Sequence, residues 1–291
     1  MLNKLEKGDE IDIVAPASYI ENREKFDMGI EILKNWGLKV NMNNLINRKY
    51  NYFSANDRQR LIELESVQNS KLIIFAKGGW GSARLLENGP KWKTSWMMGF
   101  SDTCSLLLSK YSKGYLGSIH GPMIKTLSDE PSWSLRRLKN LLFEGYVDDI
   151  FGKRLIGGIA KGEVIVSNLT IFSYLIGTNH LPNLKGKILI FEDINEDIYK
   201  IDRMFTFLRM TNKFDELAGL GFGCFFKRNG EYSEEENFLK KLIHERFKKY
   251  NIPIVIDLPI GHLNGNACVP IGFKAILNGN DGTLSVDSKI D

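Results

Sequence analysis

The sequence predicts an α/β fold: a parallel β-sheet with helices on both faces, followed by a smaller, β-rich α+β domain. Three observations carry this expectation. Short apolar runs suited to buried strands alternate with amphipathic helical stretches through the first half. The turns closing those runs are polar or glycine-rich, as at strand ends where α/β sites gather. Past residue 145 the alternation gives way to a mixed pattern that ends in hairpin chemistry.

Taken in order, residues 11–15 read as a strand, 22–36 as an amphipathic helix, 39–42 as a strand and 55–67 as a helix. Residues 71–76 (Lys-Leu-Ile-Ile-Phe-Ala) form a buried strand, followed by the turn Lys77-Gly-Gly-Trp-Gly-Ser82 and a helix through Leu86. Ser95-Trp-Met-Met-Gly99 is another short buried strand, 103–110 opens a packed helix, and 133–142 is the last helix of this half. The glycine-rich stretch 145–161 sets the expected boundary, giving an N-terminal domain over 1–146, a linker over 147–162 and a C-terminal domain over 163–291. Beyond it, strands are expected at 163–166, 187–191, 217–225 and 254–257, with helices at 168–176 and 198–209. The Asn/Asp-Gly turn inside 275–286 marks a hairpin.

Composition narrows the function classes. A chain of 291 residues that is 43% apolar can bury a sizeable core and is long enough for two domains. No apolar run approaches the roughly 20 residues of a membrane span. The first ten residues pass from charged side chains into a strand without an apolar secretory core, so a cytoplasmic location is expected. Cys104, Cys224 and Cys268 are far apart, which suggests neither a disulfide framework nor a zinc site, and Cys104 reads as an apolar filler. The 39 basic and 35 acidic side chains leave a net charge of +4, too balanced to imply nucleic acid as partner. The basic stretch 239–250 carries Leu239, Leu242, Ile243 and Phe247 at helical spacing, an amphipathic helix with a solvated lysine face. Four scattered histidines without His-x-x-x-His spacing disfavour a metal, and nothing in the chain requires a cofactor.

The residue with most chemical content is Ser101, in Met98-Gly-Phe-Ser-Asp-Thr103. A glycine-flanked serine between a buried strand and a helix can stand on a sharp turn with its hydroxyl exposed and the amide of Asp102 aimed at an oxyanion. The same residue would also serve as an ordinary helix N-cap. A nucleophilic serine needs a base. His180 and His244 read as surface residues and His120 as a hydrogen-bonded structural histidine, whereas His262 sits on a glycine-flanked loop at a strand end, suited to an oriented base. Glu192 ends the apolar run from Lys187, where a charge is costly unless paired, so it is the expected partner of the imidazole. Asp193, Glu196 and Asp197 read as an acidic helix start, and Asp202 and Arg203 as a structural ion pair or domain contact. The glycine turn could cradle phosphate, but its spacing fits no phosphate-loop pattern, and an amide of Gly79 serving as second oxyanion donor explains it better. Trp80 is then either an aromatic at the mouth or a packing residue.

The ordered set Ile13-Val-Ala-Pro-Ala-Ser18, Gly78-Gly-Trp-Gly-Ser-Ala-Arg-Leu-Leu86, Gly99-Phe-Ser-Asp102, His120-Gly-Pro-Met123, Phe191-Glu-Asp193 with Tyr199-Lys-Ile-Asp-Arg203, and Gly261-His262 resembles the LD-carboxypeptidase family of serine peptidases. The resemblance spans about residues 10–275. It implies a flavodoxin-like N-terminal domain, a smaller β-rich C-terminal domain, a catalytic set Ser101, Glu192 and His262, no metal or cofactor, and a homodimer. By resemblance the substrate is a small peptide, the cytoplasmic murein tetrapeptide, which loses its terminal D-alanine in cell-wall recycling. The microcin-immunity branch, which cleaves a peptidyl-nucleotide amide, is the alternative within the family, and a catalytically idle peptide- or carbohydrate-binding protein the alternative outside it. Departures from the usual pattern are Lys77 for arginine, Trp80 and Phe100 for tyrosines, and Ser167 where glycine is common. Trp80 and Phe100 are thereby expected to line the entrance and touch substrate.

Overall fold

In a computed structural model, which describes residues 2–42, 45, 48–225 and 234–290, two β-sheets are joined by a continuous apolar core. The first half runs β1 (Glu10–Val14), α1 (Arg23–Asn35), β2 (Lys39–Met42), α2 (Asp57–Ser66), β3 (Leu72–Phe75), α3 (Ser82–Leu85), β4 (Trp96–Gly99), α4 (Cys104–Ser112), β5 (Ser118–His120), α5 (Ile124–Leu127) and α6 (Ser132–Lys139). Strands β2, β1, β3, β4 and β5 pair in parallel in that spatial order. Every residue of β3 and β4 is buried, as parallel strands covered on both faces require. Alternation along the strands splits them between two layers. Ile13, Ile74 and Met98 pack with Phe26 and Ile30 of α1, whereas Ile73, Phe75 and Met97 pack with Leu64 of α2 and Leu106 and Leu107 of α4.

The second half runs β6 (Ile150–Phe151), β7 (Lys153–Ile156), β8 (Ile159–Asn168), α7 (Leu169–Leu175), β9 (Ile188–Glu192), α8 (Ile198–Met210), β10 (Gly219–Phe222), α9 (Glu234–Phe247), β11 (Ile254–Ile256), β12 (Val269–Pro270), β13 (Lys274–Asn278) and β14 (Thr283–Asp287). Here β8, β9, β10 and β11 are parallel, and β13, β14, β6 and β7 add antiparallel strands at the two sides. The hairpin expected over 275–286 is β13 with β14.

Two features depart from the sequence reading. Residues 147–162, expected as a linker, carry β6, β7 and the start of β8, which pair with β14, β11 and β13. Their runs are short and broken by Gly152, Gly157 and Gly158, and their partners lie far along the chain, so no local pattern announces them. Strand β12 crosses over and pairs antiparallel with β5 of the first sheet, setting Val269 against His120. Pro270 is tolerated there because β12 is an edge strand. Among the described residues no helix is long and apolar enough to cross a membrane.

Candidate active site

The carboxyl ends of β3, β4, β5 and β9 meet the loop after β11, and the residues singled out from the sequence converge there. Ser101 follows β4 by one residue and opens a tight 3₁₀ turn, Ser101–Thr103, that leads into α4. Its φ is +61°, a left-handed conformation rare for serine, and strain of this kind persists only where surrounding structure fixes it. Gly78 supplies part of that support: a Cβ there would stand 3.2 Å from the Ser101 Cβ and 3.3 Å from its Oγ. Any larger residue would crowd the hydroxyl.

Asp102 ties the serine turn to the glycine turn. Its buried carboxylate accepts the Ser82 N–H at 2.9 Å, and its carbonyl accepts the Ser82 hydroxyl at 2.7 Å. Burial raises the Asp102 pKa, and the bonds from Ser82 only partly oppose that. The Asp102 amide lies in the first turn, where helical geometry offers no intrahelical acceptor. The glycine turn is strapped from its other side by Ser18, whose N–H donates to the Gly78 carbonyl at 3.3 Å and whose hydroxyl accepts the Trp80 N–H at 3.4 Å. Gly79, next to Gly78 in the chain, is exposed with φ +110° and faces Ser18. Neither the Ser82 nor the Ser18 tie was visible in the sequence.

Glu192 is the last residue of β9 and has no solvent exposure. Its Oε2 lies 2.6 Å from Nδ1 of His262. Burial pushes the carboxyl pKa up, but the charge of His262 and the approach of both His262 and His120 outweigh it and hold the group down to about 2. Glu192 is therefore the ionised partner of the imidazole. Gly261 makes the approach possible. With φ +113°, it would place a Cβ 2.7 Å from both Cβ and Oε2 of Glu192.

Among the described residues neither the Ser101 hydroxyl nor Nε2 of His262 makes a hydrogen bond. Phe100, the residue before Ser101, packs its ring 4.8 Å from the His262 ring. The structure differs here from the sequence reading. Phe100 is buried, only 4% exposed, and lies against His262 and His120 rather than at an entrance, because its extended backbone turns the side chain inward. Trp80 is 38% exposed and meets Tyr174 of α7 edge-on at 6.0 Å.

The other candidates separate cleanly. Asp193 is buried and accepts from Asn168 Nδ2, the Thr170 N–H and hydroxyl, and the Ile194 N–H, so it serves the start of α7 rather than that of α8 as expected. Asp202 pairs with Arg246 of α9 at 3.3 Å instead of acting with Arg203. His180 bonds the Ser109 hydroxyl at 2.9 Å, and His244 is exposed on α9. Although the sequence spacing offers no ligand cluster, the fold brings Sγ of Cys104, an imidazole nitrogen of His120 and a carboxylate oxygen of Glu192 within 4.8 Å of one another, all buried. Burial beside Glu192 raises the Cys104 pKa, which keeps the thiol protonated.

Sequence reasoning missed Glu130, which lies between α5 and α6. Its Oε2 accepts the Gly265 N–H at 3.0 Å and the Asn266 N–H at 2.9 Å, while Asn266 Oδ1 accepts the Gly261 N–H at 2.9 Å. These bonds fix the loop that carries His262. The only local signal is the asparagine and glycine content of Leu263-Asn-Gly-Asn266, which marks a turn but names no partner.

Family comparison concerns the chain as a whole. A model described as the LD-carboxypeptidase N-terminal domain matches residues 11–121, and one described as the LD-carboxypeptidase C-terminal domain matches 161–277. A putative carboxypeptidase of Synechocystis is 34% identical over 97% of this chain and 95% of its own length. A probable murein peptide carboxypeptidase of Bacillus subtilis is 28% identical over 98% of this chain and 94% of its own length. The crystal structure of an MccF-like protein from Bacillus anthracis superposes with a TM-score of 0.86 at 21% identity, covering 98% of each chain, a likeness of fold. With both domain models matched in order, the chain belongs to the LD-carboxypeptidase family of peptidases.

Proposed function

We propose that this protein is a serine peptidase that hydrolyses the amide preceding a C-terminal D-amino acid, with Ser101 as nucleophile, His262 as general base and Glu192 as its orienting carboxylate. The observation that carries the reading is the 2.6 Å contact between Glu192 and Nδ1 of His262, which leaves Nε2 unengaged in a ring packed 4.8 Å from that of Phe100, the residue preceding Ser101. In this reading Nε2 takes the proton from the Ser101 hydroxyl as its oxygen attacks the scissile carbonyl, and Glu192 stabilises the imidazolium that forms. The amides of Asp102 and Gly79 receive the oxyanion, each worth about 3 kcal/mol of barrier. The imidazolium returns its proton to the departing amine. Water, deprotonated by the same nitrogen, then releases the acyl group.

The substrate proposed is a murein tetrapeptide that loses its terminal D-alanine, which places the reaction in cell-wall recycling in the cytoplasm. The support is the name of the Bacillus subtilis relative together with the small-peptide chemistry of the family. Trp80 is proposed to touch the substrate from the rim, and the chain to act as a homodimer built from a nucleophile-bearing unit, residues 1–146, and a Glu- and His-bearing unit, residues 163–291. Purified protein is incubated with murein tetrapeptide and, separately, with an aminoacyl-sulfamoyl nucleotide. D-Alanine release from the first, abolished in Ser101→Ala with the circular dichroism spectrum unchanged, is expected. Cleavage of the nucleotide substrate alone would move the protein to the microcin-immunity type. Turnover by Ser101→Ala, or no labelling of the wild type by a fluorophosphonate, would remove Ser101 from its role.

A further inference from the structure

The buried carboxylate of Glu192 faces two imidazoles, and the reading above uses only one. Oε2 is bound by His262, but Oε1 is fully enclosed and has no hydrogen-bond partner among the described residues. An ionised oxygen without a donor in such a place is strongly disfavoured. The polar group facing it is His120 at the end of β5, whose Nε2 stands 3.8 Å from Oε1. His120 has no solvent exposure, and both of its ring nitrogens also lack partners. The sequence reading of His120 as an already hydrogen-bonded structural histidine therefore does not describe it. Two unsatisfied, complementary groups oppose each other across less than 1 Å of excess separation relative to an ordinary N–H···O bond.

We infer that His120 is a positioning residue for the proposed reaction: its Nε2–H donates to Oε1 of Glu192, locking the carboxylate so that Oε2 meets Nδ1 of His262. This rests on the Ser101, Glu192 and His262 assignment. The site is built to hold both rings. Phe100 lies 5.9 Å from the His120 ring and 4.8 Å from the His262 ring, so one side chain spaces the two imidazoles. His120 itself is fixed by backbone pairing on both sides, with Gly99 of β4 and Val269 of β12. The titratable groups that face the ring are Glu192 from β9 and Cys104 from α4; Phe100 and Val269 do not titrate. An Nε2–H donor bonded to Oε1 offsets part of the carboxylate charge. Without it the full charge falls on His262, whose imidazolium then releases its proton less readily.

The test compares His120→Phe, which removes the donor, with His120→Gln, whose side-chain amide reaches the position of Nε2, and His120→Asn, whose amide stops at that of Nδ1. For His120→Phe, kcat on the tetrapeptide is expected to fall roughly 10- to 100-fold with KM unchanged. The acid limb of kcat/KM should move up by about 0.5–1 pH unit. His120→Gln is expected to restore most of both, and His120→Asn neither. A wild-type kcat and acid limb in His120→Phe would overturn the inference, as would a glutamine variant no better than the phenylalanine one. Loss of wild-type activity on chelation would likewise overturn it, by assigning Cys104, His120 and Glu192 to a metal ion. Nitrogen-15 NMR of wild-type histidines gives a readout independent of any variant's folding: the Nε2–H tautomer of His120 supports the inference and the Nδ1–H tautomer refutes it. Ser101→Ala is run beside them, because turnover in that variant sinks the serine reading itself, whereas an inactive Ser101→Ala with a normal His120→Phe sinks only the role of His120.

Discussion

Gly261 shows how a single backbone position controls the chemistry proposed here. Its left-handed φ of +113° and its contact with Glu192 leave no space for a methyl group, so Gly261→Ala combines backbone strain with a clash at the carboxylate. That variant is expected to lose at least about 1 kcal/mol of stability in urea denaturation. Displacement of His262 by the order of 1 Å should lower kcat by roughly 100-fold. A fully active Gly261→Ala would show that the loop tolerates a different approach to Glu192. At this scale the sequence singled out the pair Glu192 and His262 that the fold brings into contact, and was a poor guide to the direction of neighbouring side chains. Ser101, Glu192 and His262 were legible because a glycine-flanked serine, a carboxylate ending an apolar strand and a histidine after a glycine are each unusual. The inward turn of Phe100 and the empty coordination of His120 were not, since both depend on what lies across the sheet.

Elements hold the site through their ends. The α5–α6 junction presents Glu130 to the His262 loop, and burial raises the Glu130 pKa to about 7 despite the bonds from Ser134, Gly265 and Asn266. Because the folded-state pKa is raised above its ordinary value of 4.5, the associated stability is full below pH 4.5 and is lost as pH rises through about 7. Glu130→Gln keeps an oxygen for the two amides and cannot ionise. It is expected to match the wild type near pH 4.5 and to exceed it near pH 9 by on the order of 1–3 kcal/mol, read by urea denaturation at both values. Glu130→Ala strands two buried N–H groups and should be less stable than Glu130→Gln throughout. Away from the site, α2 starts with a reciprocal cap in which Asn56 Oδ1 accepts the Gln59 N–H at 2.9 Å. Asn56→Ala should cost about 1 kcal/mol while leaving kcat/KM unchanged. Helices were readable because their periodicity and caps are local. Strands β6, β7 and β12 were not, because two to four residues of strand carry no signal without a partner.

The whole molecule binds its two sheets into one cooperative body. The same apolar cluster contains Ile73, Phe75 and Met97 of the first sheet and Ile165, Leu189, Phe191 and Leu220 of the second, and β12 carries the second half into the first sheet. Unfolding should therefore be a single transition. All the tryptophans lie between residues 36 and 133, so their fluorescence reports the first half, whereas far-ultraviolet circular dichroism reports both. The two urea curves are expected to coincide; separated midpoints would mean that the halves unfold independently.

By itself the sequence determined the α/β class, most of the helices and buried parallel strands, and the residue types able to do acyl-transfer chemistry, because hydrophobic periodicity, glycine turns and stranded charges act over a few neighbours in the chain. Tertiary structure alone set which oxygen of Glu192 meets Nδ1 of His262, and alone decided that Glu130 would hold the loop and that His120 would face the second oxygen of Glu192. Those contacts join residues 70 to 136 positions apart, and they exist only because burial in the shared core brings strand ends together and makes each enclosed polar atom require a partner.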